Sequence, residues 1–244
     1  ACSEPRSDGG PPIPGATVAD SAGGGMHAVL AVLAALVRRG TTGQGTRLDV
    51  SAAEGALSLM ALSIDQYLAE GEIAGPREVL LTGRYAFYDL YETSDGRWIS
   101  VAAIESHFFA NLCDGLGLPE FKGDQYDDAK QPSIREAFQR AFKERTRDEW
   151  TTKLSPNDTC VAPVLSIPEV TEHPHWRERG VFMEAEHADR GVFEQVSPIL
   201  AGAVRAHPKT HVRAGDETQS QDLLGQIGYA GTEIAALLAE GAVE

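Results

Sequence analysis

The chain has 244 residues, of which 42% are hydrophobic and 23% charged, with 3 cysteines and a formal net charge of −15. That length supports a sizeable core in one large or two small domains, and the acidic balance argues against a nucleic-acid or anionic-membrane surface while leaving room for a local anion site. Cys2, Cys113 and Cys160 are scattered without C-x-x-C spacing, which argues against a disulfide framework or a cysteine-built metal centre and points to a reducing, cytoplasmic compartment.

The opening stretch ACSEPRSDGGPPIP is rich in Pro, Gly and Ser and reads as a loop. A loop that leads straight into a candidate active-site acid suggests the C-terminal portion of a longer protein. Residues 26–39 (MHAVLAVLAALVRR) are apolar almost all round and close on two arginines and Gly40, the pattern of a buried helix with a cationic last turn. The apolar run 28–37 is too short to cross a bilayer. Thr46 to Val50 fits a short strand, and Ser51 with Glu54 fits a capping box opening a helix to about Ala69. Gly75-Pro76 marks a boundary. Beyond it, YAFYDLYETSDGRWISVAAI reads as a β-hairpin turning on Asp95-Gly96.

From Ser106 onward the pattern is helical, with Glu105 or Ser106 near the N-terminus. Two further helices follow, split near Thr146, where Thr-x-x-Glu gives another capping box. Cys160 to Leu165 fits a strand, Pro168 opens a helix toward His173, residues 180–214 read as irregular or edge-strand material, and the tail ends in a helix pair.

Two acids stand out. Asp20 precedes Gly23, Gly24, Gly25 and Met26, so a carboxylate lies beside what reads as a helix start. The free N–H groups and positive dipole end there suit thioester oxygens, enolates and phosphates. Spacing alone leaves open that Asp20 is a plain capping acid, but a cap needs no triple glycine, and three glycines let the backbone approach a ligand. Glu105 ends the apolar strand segment Val101-Ala-Ala-Ile and precedes a helix. Partial burial there would raise its pKa toward the range useful for proton transfer; helix capping is the alternative. His173 with His175, and His207 with His211, lack the acid or cysteine partners of a metal site, so no metal is expected. His27 fits packing or capping better than anion binding. No P-loop, dinucleotide fingerprint, G-x-S-x-G or H-E-x-x-H occurs.

Four stretches, in order, carry a family resemblance: GATVADSAGGGMHAVLAVLAAL with TGQGTRLDV; YDLYETSDGRWISVAAIESHFF; NDTCVAPVLSIPEV; and LLGQIGYAGTEIAALLAEGAV. They resemble the C-terminal part of the CaiB/BaiF family, the type III CoA-transferases together with α-methylacyl-CoA racemase. The resemblance implies an α/β fold: part of a Rossmann-like large domain plus a small α+β domain, in an interlocked homodimer. Residues 1–75 and 200–244 would belong to the large domain and 76–199 to the small one. The N-terminal half that supplies much of the CoA site would lie outside this chain.

Asp20 matches the family's active-site aspartate, which forms an aspartyl thioester in the transferases and serves proton transfer at Cα in the racemases. AIESHF resembles the racemase segment carrying a glutamate, here Glu105. The glycine-rich small-domain loop of the transferases corresponds to Leu81-Thr-Gly-Arg-Tyr-Ala, where Gly83 stands alone, which counts against a transferase. The expected function is therefore racemisation of a 2-methylacyl-CoA by Asp20 and Glu105. Gly23, Gly24, Gly25, Met26 and Gly83 would contact the substrate, and no cofactor is expected beyond the CoA thioester itself. The alternatives are a type III CoA-transferase with Asp20 as nucleophile, and an inert interaction module lacking the N-terminal half and its histidine.

Overall fold

The computed structural model describes residues 16–73, 75–197, 210–214 and 218–243. It divides the chain into two units, Ala1–Val164 and Leu165–Glu244.

The first unit opens on a helix that starts earlier than its sequence suggests. Thr17 is the N-cap, Val18–Met26 forms a wide π-type helix, and this runs directly into α1 (His27–Thr42). Residues 18–25, expected to precede the helix start, are thus helical. Together Val18–Thr42 make 25 residues, long and apolar enough by length and composition to cross a membrane; the shorter apolar run 28–37 had not met that length. The helix runs past the expected stop at Gly40 to Thr42, with Arg39 in its last turn and Gly43 as its left-handed C-cap at φ +70°. Thr46 to Val50 forms no strand with any of the described residues, contrary to the expectation. Ser51 accepts from the Glu54 N–H at 3.3 Å and starts α2 (Ala52–Leu59). The predicted single helix to Ala69 breaks at Met60 (φ −101°, ψ 7°) and resumes as α3 (Ala61–Glu70).

The π-type segment packs against α2 with its backbone almost touching. A Cβ on Gly23 would sit 2.8 Å from the Ala52 carbonyl oxygen and 2.9 Å from the Ala56 nitrogen. A Cβ on Gly55 would overlap the Gly23 carbonyl oxygen and His27 Nδ1. His27 is held there, its Nδ1 2.9 Å from the same Gly23 carbonyl. These glycines are needed because no side chain fits between the two helices.

The hairpin forms as the alternation dictates. β1 (Tyr88–Glu92) and β2 (Trp98–Ala102) pair antiparallel with Tyr91 opposite Ile99, and Gly96 takes the left-handed turn position at φ +73°. β3 (Val161–Pro163) adds antiparallel to β2. Successive strand residues face opposite sides, so Tyr91, Ile99 and Val101 enter the core while Leu90, Trp98 and Ala102 face outward. The core is closed by α4 (Ser106–Leu116), α5 (Gln131–Phe142) and α6 (Arg147–Leu154), which contribute Phe109, Leu112, Phe138, Phe142, Trp150 and Leu154. Aromatic rings are in contact here, with Tyr91 and Phe142 centroids 5.0 Å apart and Phe142 and Trp150 5.6 Å apart. The Thr146–Glu149 capping box starts α6 as read from sequence.

The second unit holds α7 (Ile167–Glu172) and α8 (Pro174–Glu178), then β4 (Phe182–His187), β5 (Gly191–Val196) and β6 (Thr210–Val212). The three strands form a sheet in the order β5-β4-β6, with β4/β5 antiparallel and β4/β6 parallel. Residues 180–214, expected as irregular or edge-strand material, thus supply the strands of a second sheet. Helices α9 (Ser220–Gln226) and α10 (Gly231–Ala239) are the predicted terminal pair.

Candidate active site

Asp20 lies in the first turn of the long helix, exposed, and its carboxylate makes no hydrogen bond or ion pair among the described residues. A capping acid would accept a backbone N–H; this one does not. It stands at the positive end of the helix, and π-type turns are rare and concentrate at functional sites. The helix start, however, is at Thr17 and not after the glycines. Gly23 and Gly24 lie inside the helix and turn toward α2, so they offer no helix-end cradle of N–H groups. Gly25 meets only the Asp20 carbonyl at 3.4 Å, and Met26 is 62% exposed, leaving these two on the open side.

Glu105 is the N-cap residue of α4, extended at φ −70° and ψ 140°, with no side-chain capping bond. It is exposed in this chain, which corrects the expectation of partial burial. Capping therefore does not explain either acid. Cys160 stands close enough to Glu105 that the carboxylate's charge, after burial itself, pushes its thiol pKa up. Cys160 also has a left-handed backbone, φ +50°, and its carbonyl accepts from the Ala102 N–H at 3.0 Å, so the strand end before Glu105 is held by β3's approach segment.

Beside that strand end is a pocket of about 590 Å³, lined by Leu81, Gly83, Tyr88, Trp98, Ser100 and Ala102 among others. Arg77 and Asp89 are its charged lining residues. Gly83 is buried at φ +92°, a backbone that favours glycine, and an added Cβ would sit 3.4 Å from both the Arg77 guanidinium carbon and Asp89 Oδ1. The outward face of β1 and β2 thus supplies an apolar wall, and the 79–84 turn a second one. Asp20 does not line this pocket. His27 lines a different, shallower one with Asp49, Ser51 and Glu54.

Sequence reading missed the polar residues behind the pocket. Gln125 and Gln131 are 6% and 7% exposed, deep burial for amides. Gln131 Oε1 accepts the Ala86 N–H at 2.9 Å, and its Nε2 donates to the carbonyls of Gln125 at 3.0 Å and Asp127 at 3.1 Å. Gln125 Nε2 donates to the carbonyls of Ala103 at 3.2 Å and Ile104 at 2.7 Å. Arg135 donates to the carbonyls of Gly83 at 2.8 Å and Arg84 at 3.1 Å, and pairs with Asp89, which also pairs with Arg77. Burial, together with the neighbouring Arg77 charge, lowers the Arg135 pKa to about 10, still cationic near neutrality. Polar residues scattered between helical positions carry no sequence signal that distinguishes buried from exposed ones.

Among the described residues the histidines do not assemble a site. His173 accepts from the His175 N–H as the N-cap of α8, His211 sits in β6, and His207 lies outside the described residues. Among the described residues no group of three His, Cys, Asp or Glu is placed to hold a metal ion.

Comparison with known proteins places these features in context. Human alpha-methylacyl-CoA racemase is 33% identical over 246 residues, covering 98% of this chain and 62% of the relative. Formyl-CoA:oxalate CoA-transferase of Escherichia coli is 26% identical over 256 residues, covering 93% and 61%. This chain therefore spans a little under two thirds of the length of those relatives. Two solved structures share its mixed α/β fold. Rv3272 of Mycobacterium tuberculosis has a TM-score of 0.65 at 22% identity, covering 84% of this chain and 54% of that one. A CaiB/BaiF family protein of Brucella suis has a TM-score of 0.63 at 22% identity, covering 86% and 56%. The match to CoA-transferase family III extends over residues 2–212, which takes in Asp20, the Gly83 turn, Glu105 and the strand that leads to it, and the chain belongs to that family.

Proposed function

We propose that this protein acts on acyl-CoA thioesters as an α-methylacyl-CoA racemase-like enzyme, moving one proton at Cα of a 2-methylacyl-CoA with Asp20 and Glu105 as acid/base residues. The observation that carries this reading is the 33% identity to human alpha-methylacyl-CoA racemase across 98% of the chain. Two exposed carboxylates without side-chain partners among the described residues, one at a helix start and one at a strand end beside a pocket, support it. The thioester acidifies the α-proton; a carboxylate removes it from one face, the electron pair moves onto the thioester oxygen, and an acid returns a proton to the opposite face. Gly25, Met26 and Gly83 are proposed to line the substrate's path, and the CoA thioester is the substrate, with no further cofactor. Gly23 and Gly24 contribute through helix packing that sets Asp20 in place.

The family pattern further suggests a Rossmann-like large domain built from residues 1–75 and 200–244, a small domain from 76–199, an interlocked homodimer and a cytoplasmic location. Asp20 does not line the pocket beside the Glu105 strand, and an arrangement of two chains is one way for the acids to serve a common substrate.

The full-length protein incubated with a 2-methylacyl-CoA in deuterated water should incorporate deuterium at Cα without any acyl acceptor. Asp20→Asn and Glu105→Gln should each reduce incorporation by about 10²-fold or more. Deuterium-free CoA transfer to a carboxylic acid, with hydroxylamine trapping an acyl group on Asp20, would instead establish the transferase reading that the 26% identity to formyl-CoA:oxalate CoA-transferase supports.

A further inference from the structure

The pocket wall and the residue before Glu105 are tied to α5 and the turn before it by two sets of side-chain hydrogen bonds, one made by Arg135 and one by Gln131 with Gln125. Arg135 holds the Gly83 and Arg84 carbonyls at 2.8 and 3.1 Å. One helical turn earlier on the same face of α5, Gln131 takes the Ala86 N–H at 2.9 Å. Gln131 then passes to the Gln125 carbonyl at 3.0 Å, and the Gln125 side chain passes to the Ile104 carbonyl at 2.7 Å. Ile104 immediately precedes Glu105. The Tyr126 hydroxyl makes a second bond to that same carbonyl at 3.1 Å.

An ordinary core would fill this volume with aliphatic side chains, because buried amides and guanidiniums stabilise nothing unless nearly every donor is matched. Here both amides are doubly or triply used. The bonds end on backbone of the two segments that reach the candidate site, 83–86 and 103–104, and on the 125–127 turn between them, while Arg135 also pairs with Asp89 of β1. Gln131 could not be replaced by a glutamate on equal terms: its oxygen accepts from Ala86 while its nitrogen donates to two carbonyls, and a carboxylate has no donor. A lysine at 135 would likewise lack the planar fork that reaches two adjacent carbonyls and Asp89 at once.

We propose that Gln125, Gln131 and Arg135 are positioning residues: a rigid polar frame that sets the Gly83 wall of the pocket and Glu105 at a fixed separation, so that acyl group and carboxylate meet in register. Arg135 governs the wall, and hence substrate affinity. Gln125 governs the segment carrying Glu105, and hence the proton-transfer step. This rests on the acyl-CoA reading above.

The test compares three variants of the full-length protein by deuterium incorporation into a 2-methylacyl-CoA, by acyl-CoA affinity, and by hydrogen exchange at the Ala86 amide. Arg135→Lys should weaken affinity about tenfold with turnover at saturation changed less than about twofold. Gln125→Met should do the reverse, lowering turnover about tenfold or more at nearly unchanged affinity. Arg147→Lys removes another buried guanidinium, one that donates to the Val164 carbonyl at 3.0 Å away from the frame, and should lower thermal stability while leaving both constants alone. In Gln131→Met the Ala86 amide should lose at least about tenfold of its protection. Wild-type constants in both Gln125→Met and Arg135→Lys, or the same changes in Arg147→Lys, would overturn the frame's role. A wild-type protein with a protected Ala86 amide but no acyl-CoA chemistry would overturn the functional reading instead, and the frame's purpose with it.

Discussion

At the scale of single residues, the two candidate acids are defined by what they lack. Asp20 lies in the first turn behind the Thr17 N-cap and Glu105 is itself an N-cap residue, and neither carboxylate makes a capping bond among the described residues. Cys113 shows the opposite case, a titratable group fully absorbed into the core. Burial first, then the charge of Asp114, pushes its thiol up to about 12 from 9.0. The folded pKa is raised, so the neutral thiol is the form the core holds. The resulting stability is fully present below pH 9 and is lost as pH rises from 9 toward 12. Urea unfolding at about pH 8 and about pH 10 should therefore show a loss of about 1 kcal/mol in the wild type that is missing in Cys113→Ala. Equal losses in both proteins would place the thiol outside the core.

At the scale of elements, the periodic signals proved sound where local chemistry decides the outcome. The Ser51 cap, the Thr146 capping box and the Asp95-Gly96 turn all depend on residues within a few positions of one another. The start of the first helix was misread for a physical reason. Three glycines normally signal a break, but here Gly23 and Gly24 are the surface on which α2 lies, and the contact stabilises a helix their propensity disfavours. The same contact makes a sharp prediction. Gly55→Ala places a methyl group into the Gly23 carbonyl, which is backbone and cannot swing aside, as well as into the His27 ring. It should destabilise the protein by about 3 kcal/mol, measurable by chemical denaturation, whereas Gly45→Ala, with nothing within 4 Å, should cost far less.

At the scale of the whole molecule, the helix Val18–Thr42 carries more apolar surface than this chain covers. Leu30 is 59% exposed and Val37 73%. Its α2-facing glycines, its acid in the first turn and its arginines at the end suit a helix packed against protein on more than one side. In the homodimer proposed for the family pattern, that surface would be covered. Sedimentation of the full-length protein should then show a dimer, and Leu30→Glu combined with Leu33→Glu should shift it toward monomer at micromolar concentration. A wild-type monomer would remove the dimer from the proposal.

The division between what residues declare and what folding decides follows from range. Asp20, Glu105 and Gly83 were identifiable as candidates because each sits inside a run of neighbours with a family pattern. The hairpin and most helix ends were legible because caps and turns act over three or four positions. The second sheet was not, since β6 reaches β4 only across residues 188–209 and no local pattern announces a parallel pairing of that separation. Nor was the Gln125–Gln131–Arg135 frame. An amide on a helix reads as solvent-facing until the strand it serves is folded over it, and only the tertiary structure brings backbone carbonyls of 83–84 and 103–104 to those side chains. Sequence alone determined which carboxylates to consider; the fold decided what surrounds them, because desolvation and hydrogen-bond partners come from segments distant along the chain.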